Sequence, residues 1–593
     1  MADNRKDHEL HRQPKQFVLC FDGTGNKFAG DTSDTNLVKI YRMLDRSQSH
    51  QYHYYQPGIG TYLTSHSLGS KGRLNRVKSS YKKAKDAALG SSFDEHVLGG
   101  YKFLMRYYSP GDNIFFFGFS RGSYTARFLS EMLDFVGLLQ PGNEELIRFA
   151  WKTFAKWQQR KDSTEKDKEE RRRLFAFMQA FRETFSRPVS RIKFLGLFDT
   201  VNSVPIFENA WLERSKFPYT AQTTARVIRH AVSIDERRAK FRQDLISEVK
   251  PIAHEPKHPH RLRHFLSRDD QQEKTEVPEI VLNATEEERS TRGQVVPRAE
   301  ERYRAPTPSP NRRHSTEFPR NNALLSDRVS LKSTISRQPL HVPYLNEPEH
   351  EGEEYGDGQD ISEVWFSGQH GDVGGGWKLN PQDNWPLSHL PLVWMVKEAQ
   401  LVGLEFDPEK LRRFNCFEDD KGDGPIYFHG NILPTSTPET QSGPFSHRNH
   451  SDPFQEIVTR TMDQGIVHDC LTYGGGLSFL STLSWRLMEY LPFRRMDLQP
   501  DGSWKPISWP LPRGEVRDIP DNAQIHVSAI HRLRTDHNYR PGNLIIGGGG
   551  RGFKRAPERY GIGEWEICNH KGDLVRETYI RKKPETACIG GTV

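Results

Sequence analysis

The pentapeptide Gly118-Phe119-Ser120-Arg121-Gly122 constrains this chain more than any other feature, because of what flanks it. Before it, Asn113-Ile114-Phe115-Phe116-Phe117 is the continuous apolar run of a strand buried on both faces. After it, Tyr124 to Leu139 has helical spacing. A serine hydroxyl is a weak nucleophile until it is exposed beside a base. A sharp strand-to-helix turn exposes it, and small residues on both flanks relieve the crowding of that turn. A structural serine in a tight turn would need the same five residues. The strand before and the helix after favour a nucleophile at Ser120.

Other segments repeat this pattern. Phe17-Val18-Leu19-Cys20-Phe21 predicts a buried strand entering the loop Asp22-Gly23-Thr24-Gly25-Asn26, and His53-Tyr54-Tyr55 predicts a shorter one. Phe93 to Tyr108 sets Val97, Tyr101, Leu104 and Tyr108 on one helical face before Pro110-Gly111. Arg191 to Phe198 and Glu363 to Phe366 predict later strands, ending at Asp199 and near His370. Strands alternating with helices, with polar residues at strand ends, imply an α/β fold. The expectation is an α/β-hydrolase-like, mostly parallel sheet flanked by helices.

In such a fold the acid and the histidine follow the serine in the chain, at strand ends. His370, in the glycine-rich Gly368 to Gly376, is the expected base, and Asp199 the carboxylate that fixes its tautomer. The expected oxyanion donors are the backbone of Arg121 and of Gly23 or Thr24, with Asp22 organising that loop. His230 precedes the charge-dense Asp235 to Arg238, read as an ion-paired helix, and His526 is the fallback base. Phe207, Trp211, Phe217 and Tyr219 are candidates for an acyl channel, or equally for core.

Five segments resemble one known family in order: Phe21-Asp22-Gly23-Thr24-Gly25-Asn26, Tyr55 to Thr61, Gly118 to Gly122, Phe198-Asp199-Thr200-Val201, and His370 to Gly376. His230 to Arg238, His526-Val527-Ser528 and Tyr539-Arg540-Pro541 also resemble family segments. The family is the α/β-hydrolase domain group that includes the catalytic domain of type VI secretion phospholipase effectors. The resemblance runs from about Phe17 to Leu544. It implies a Ser-Asp-His triad and, in the best-known branch, phospholipase A-type activity on lipid esters. A large proline-rich insertion departs from the compact bacterial pattern and points to a fungal-type relative.

That insertion shows in composition. Residues 251–340 hold 10 of the 37 prolines and three aromatics, Phe265, Tyr303 and Phe318, too little apolar surface to offset chain entropy. The expected organisation is a flexible N-terminus over 1–16, a catalytic domain over 17–250 and 341–544, a disordered insertion over 251–340, and a C-terminal tail over 545–593. Five scattered cysteines without C-x-x-C spacing argue against a disulfide framework or zinc knuckle. With no apolar leader and no membrane-length apolar run, the chain reads as cytoplasmic. His254-Glu255-Pro256-Lys257-His258 matches a zinc-protease pattern, but Pro256 forbids the helix that the motif requires. No cofactor or metal is expected. The expected partners are a lipid or other ester substrate and transient membrane-surface contact, without nucleic acid. Two competing readings are a metal-dependent phosphoesterase using Asp22, Asp199, His370 and Asp372, and a non-catalytic scaffold.

Overall fold

The computed structural model describes residues 13–58 (save 25 and 27), 91–158, 165–201, 223–246 (save 240), 359–378, 385–418, 427–428, 431–432, 453–490, 496–498, 504–506, 514–545 and 554–582. The proposed insertion, the zinc-protease look-alike and the aromatics Phe207 to Tyr219 lie outside the described residues. Residues 1–254 and 337–593 make one compact unit.

That unit is built on a nine-stranded sheet. Its strands are β1 (Gln16–Phe21), β2 (Gln51–Gln56), β3 (Asn113–Phe119), β4 (Phe194–Phe198), β5 (Val227–Ser233), β6 (Asp360–Phe366), β7 (Gln524–His526), β8 (Trp565–Asn569) and β9 (Thr578–Arg581). They lie in the order β8-β9-β7-β6-β5-β4-β3-β1-β2. All pairs are parallel except those of β9 with β7 and β8. The expected mostly parallel α/β architecture is what the chain adopts.

Strands β1 and β3 carry an apolar run because both of their faces are covered. In β1, Phe17, Leu19 and Phe21 enter one core while Val18 and Cys20 enter the other. In β3, Ile114 and Phe116 face one side, and Phe115, Phe117 and Phe119 the other. Each buried ring contributes about 1.5–3 kcal/mol. The first core is closed by helices α1 (Ser91–Tyr107), α2 (Arg121–Val136) and α3 (Leu146–Gln158). The second packs under α4 (His389–Leu401) and α5 (Val527–Thr535).

Strand order fixes where a site can form. Successive connections from β1 lead first to β2 on one side and then to β3 on the other, so the order reverses between β1 and β3. Open parallel sheets place ligands beyond the carboxyl ends of the strands at such a reversal. There β1 delivers Asp22-Gly23-Thr24 and β3 delivers Ser120.

Three expectations change. The segment around His230 is not an ion-paired helix but β5, the middle strand, followed by a loop through Asp235 to Arg238. Its polar side chains are compatible with a central strand because they have partners: Arg229 pairs with Asp360 and Glu398, and His230 hydrogen-bonds Glu363. The sheet also continues past Leu544, where β8 and β9 form an antiparallel edge. Four of the five residues of β8 are exposed, so the apolar signal of the inner strands is missing there. Finally, the helix after Ser120 ends at Val136, because Gly137 turns the chain at φ 75° and sends Leu138-Leu139 into a short antiparallel pair.

Candidate active site

Ser120 and Asp199 end neighbouring strands at matching positions. Phe119 is in register with Phe198, so the next residues on the two strands are Ser120 and Asp199. Ser120 N–H still donates to Phe198 O at 3.0 Å, and Asp199 N–H to Ala231 O at 2.7 Å, so both amides extend the ladder by one step. Then both residues leave it with positive φ, 59° for Ser120 and 43° for Asp199. Such strain in non-glycine residues persists where the surroundings impose it, and it gathers at functional sites.

The glycines around Ser120 are spatial necessities. A Cβ on Gly118 would come within 2.7 Å of Ser123 N, and one on Gly122 within 2.6 Å of Asp22 O. The start of α2 therefore sits directly against the end of β1. Ser120 occupies the N-cap position of α2 yet its side chain makes no capping hydrogen bond, although N-cap serines ordinarily do. Among the described residues its hydroxyl has no hydrogen-bond partner, and none joins it to His370.

His370 enters from β6 through α6 (His370–Gly374), a single turn whose capping box pairs Gln369 with Asp372. Its ring stacks on Phe119 at 4.7 Å, and Phe241 meets it edge-on at 4.7 Å. Nδ1 lies 2.5 Å from Asp199 Oδ2. Burial pushes the imidazole below its usual range, against the opposing pull of Asp199. Neutral His370 thus presents Nδ1–H to the carboxylate, which leaves Nε2 as an acceptor.

Asp199 is fully buried and held from several sides. Ser233 donates N–H at 2.9 Å and Oγ–H at 3.0 Å to Oδ1, while Arg517 reaches both carboxylate oxygens. Burial alone would raise its pKa; the Arg517 guanidinium and the His370 contact overrule that and keep the group far below the ordinary carboxylate range. Arg517 is itself anchored to the carbonyls of Phe241 and Ser233.

A second clamp holds the His370 loop. Asp235 exchanges backbone and side-chain bonds with Gly368, and Glu236 Oε2 accepts from His370 N at 3.3 Å. Arg238 neutralises Glu236 through two contacts of 2.9 and 2.7 Å. Sequence reading noticed the Asp235 to Arg238 segment but misjudged its form. It gave Ser233 no role, although that residue lies in the family-like segment His230 to Arg238, and it missed Arg517 altogether, which sits in no motif and lies 318 residues from Asp199.

The expected oxyanion loop reaches the serine turn, since a Cβ on Gly23 would meet the Phe119 ring at 2.8 Å. Gly23 N–H, however, is engaged by Asp22 Oδ1 at 2.7 Å. Asp22 also accepts from Thr35 at 2.9 Å and Tyr55 at 2.7 Å, and burial pushes its carboxyl up to about 6. It organises the loop.

The rival histidines are occupied. His230 Nδ1 pairs with Glu363 at 2.8 Å while Nε2 accepts from Thr200 N–H at 3.1 Å. His526 caps α5 through Ser528 and donates to Val575 O at 2.9 Å, and burial drives it down to about 4. Asp22, Asp199, His370 and Asp372 do not gather into a metal cluster. Asp372 turns instead to His468 at 2.6 Å, and among the described residues no three His, Cys, Asp or Glu side chains are arranged to hold an ion. Cys20, Cys416, Cys470 and Cys568 are free thiols, and no helix among the described residues is long and apolar enough to cross a membrane.

Comparison with known proteins points the same way as the motifs. The model of the family described as the type VI secretion system phospholipase effector Tle1-like catalytic domain matches residues 15–398. The uncharacterized protein YEL023C of Saccharomyces cerevisiae is 29% identical over 568 residues, 89% of this chain and 80% of the yeast protein. Two solved structures are similar in part. One, an uncharacterized protein from Pseudomonas aeruginosa, shares 15% identity at TM-score 0.27, over 67% of this chain and 47% of that one. The other, the Tle1 effector bound to the VgrG spike of the type 6 secretion system, shares 14% at TM-score 0.17, over 41% and 52%. The chain thus spans about half the length of each of these two.

Proposed function

Because this chain belongs to the type VI secretion phospholipase effector Tle1-like catalytic domain family, we propose that it is a serine hydrolase cleaving carboxylic esters of phospholipids through Ser120, His370 and Asp199. The observation that carries this reading is the convergence, at one sheet edge, of an uncapped serine at positive φ, a neutral buried histidine and an ionised buried aspartate.

In the first step His370 Nε2 takes the Ser120 proton as Oγ attacks the ester carbonyl. The imidazolium then gives that proton to the leaving alkoxide, and an acyl-serine remains. Water, deprotonated by the same nitrogen, releases the fatty acid and restores Ser120. Asp199 stabilises the transient imidazolium and is not protonated itself. Its bonds to Arg517 and Ser233 hold the carboxylate in place for that task. The negative tetrahedral oxygen is met by backbone N–H groups at the start of α2, beginning with Arg121, where the helix dipole also favours negative charge. With Gly23 N–H engaged, Thr24 is the better second donor on the β1 loop.

A fluorophosphonate probe tests the nucleophile directly: it should label the wild-type protein and leave Ser120→Ala unlabelled. Incubation with diacyl phospholipid, followed by mass spectrometry, should release free fatty acid and lysolipid only with the wild type. Equal labelling of both proteins would rule Ser120 out.

A further inference from the structure

Helix α7 of the fold (Phe479–Met488, after α6 in the site and apart from the core helices) is built inside out. The side chain it buries completely is polar, Thr482, and Glu489 just beyond it is buried as well. Four of its apolar residues face outward: Phe479 is 65% exposed, Leu480 75% and Leu487 61%, with Leu483 between them at 36%. Spacings of three and four place these four side chains on one face. Tyr473 stacks on Phe479 at 4.8 Å and broadens the patch, and Arg486 lies over the Tyr473 ring at 5.2 Å. Water gains nothing from such a face, and contiguous exposed apolar surface marks an interaction site.

The opposite side of the same helix packs toward the catalytic centre. Trp485, on the same helix, meets Phe241 edge-on at 5.4 Å, and Phe241 meets the His370 ring at 4.7 Å. Arg238 lies over both aromatic rings, at 3.6 Å from Phe241 and 4.8 Å from Trp485. Trp485 and Phe241 thus link the inward side of this helix to the proposed base, while its leucines point away.

We propose that this helix seats the protein on an anionic phospholipid surface, its leucine row entering the headgroup–acyl boundary beside the active site. The inference rests on the lipid-esterase reading for its biological sense. Two observations favour a bilayer surface as the occupant. The helix carries no acidic residue and one charge, Arg486, the sign that anionic headgroups attract. An apolar face of leucine and aromatic side chains flanked by a cation is the pattern of helices that lie in the membrane interface.

The test uses the full-length Ser120→Ala protein, so that turnover does not alter the vesicles. Flotation with phosphatidylcholine vesicles containing phosphatidylserine should recover the protein. A Leu480→Ser/Leu483→Ser/Leu487→Ser variant should bind roughly tenfold or more weakly, given the apolar area removed from the interface. A single Leu480→Asp exchange, at the most exposed position, should weaken binding by itself. In the Ser120-containing background the same leucine changes should spare hydrolysis of a soluble short-chain ester and lower hydrolysis of vesicle phospholipid. Undiminished flotation of both variants would overturn the proposal. So would a concentration-dependent dimer that the leucine changes dissolve without any vesicle binding, since the face would then belong to a second copy. Failure of the esterase reading would appear separately, as absence of soluble-ester hydrolysis in the wild type.

Discussion

Arg517 grips Asp199 with both terminal nitrogens, Nη1 to Oδ1 at 2.5 Å and Nη2 to Oδ2 at 3.0 Å. Both groups are almost wholly buried, so each supplies the other's counter-charge. Losing one partner strands a charge inside the protein. Arg517→Met is therefore expected to destabilise the fold by about 3–5 kcal/mol. Arg517→Met combined with Asp199→Asn should cost less than the sum of the two single changes, because neither charge is left unpaired. Urea unfolding of the four proteins measures this coupling, and strict additivity would show that the pair is not a unit.

Ser120→Ala and His370→Ala should each remove nearly all ester hydrolysis while leaving the fold intact. The double variant should be little worse than either, because triad members act together. Residual catalysis of about 10³–10⁴ over water is the expected floor from binding and backbone donors. Single-variant and double-variant rates on one soluble ester decide the point; multiplicative losses would assign the residues to separate steps.

The acid limb of activity should fall at lower pH than a solvent-exposed imidazole would give. Burial lowers the pKa of His370 from the ordinary 6.5, Arg238 lowers it further, and Asp199 and Glu236 oppose them. Protonation disables a general base, so activity is lost as pH falls through that lowered value. The pH profile of kcat/KM reports it for the free enzyme. A midpoint above the ordinary imidazole value would contradict the assignment of His370.

Asp235 sets a pH dependence of stability with the opposite sense to an ordinary salt-bridged carboxylate. Burial raises its pKa from 3.8 to about 6. A carboxyl whose folded pKa exceeds its unfolded one favours the fold while protonated. That contribution is present at about pH 4 and is lost as pH rises through about 6. Two hydrogen bonds reach the same carboxyl oxygen, Oδ2, from Gly368 N–H at 2.6 Å and Tyr539 O–H at 3.0 Å, so an amide oxygen can replace it. Asp235→Asn should gain roughly 2–3 kcal/mol at pH 7 relative to pH 4, compared with the wild type. Denaturation at the two pH values reads the difference, and identical pH dependence in both proteins would refute it.

The sequence by itself determined strands β1, β3 and β4 and the turn at Ser120. Apolar runs in β1, β3 and β4 need no knowledge of partners, because a strand buried on both faces is apolar wherever it pairs. The glycines at 118 and 122 were legible for the same reason: a tight turn imposes its demand locally. Chain order and strand-end position were enough to nominate Asp199 and His370. Tertiary structure alone decided that β5 is the middle strand, since Arg229 and His230 are tolerable there only beside Glu398, Asp360 and Glu363. It alone brought Arg517 and Ser233 to Asp199 and set Glu236 beneath His370. It alone turned the leucines of residues 479–488 outward. The cost of burying a charge and the fate of an apolar face depend on neighbours hundreds of residues away. Periodicity records which side chains share a face, and only packing records what that face meets.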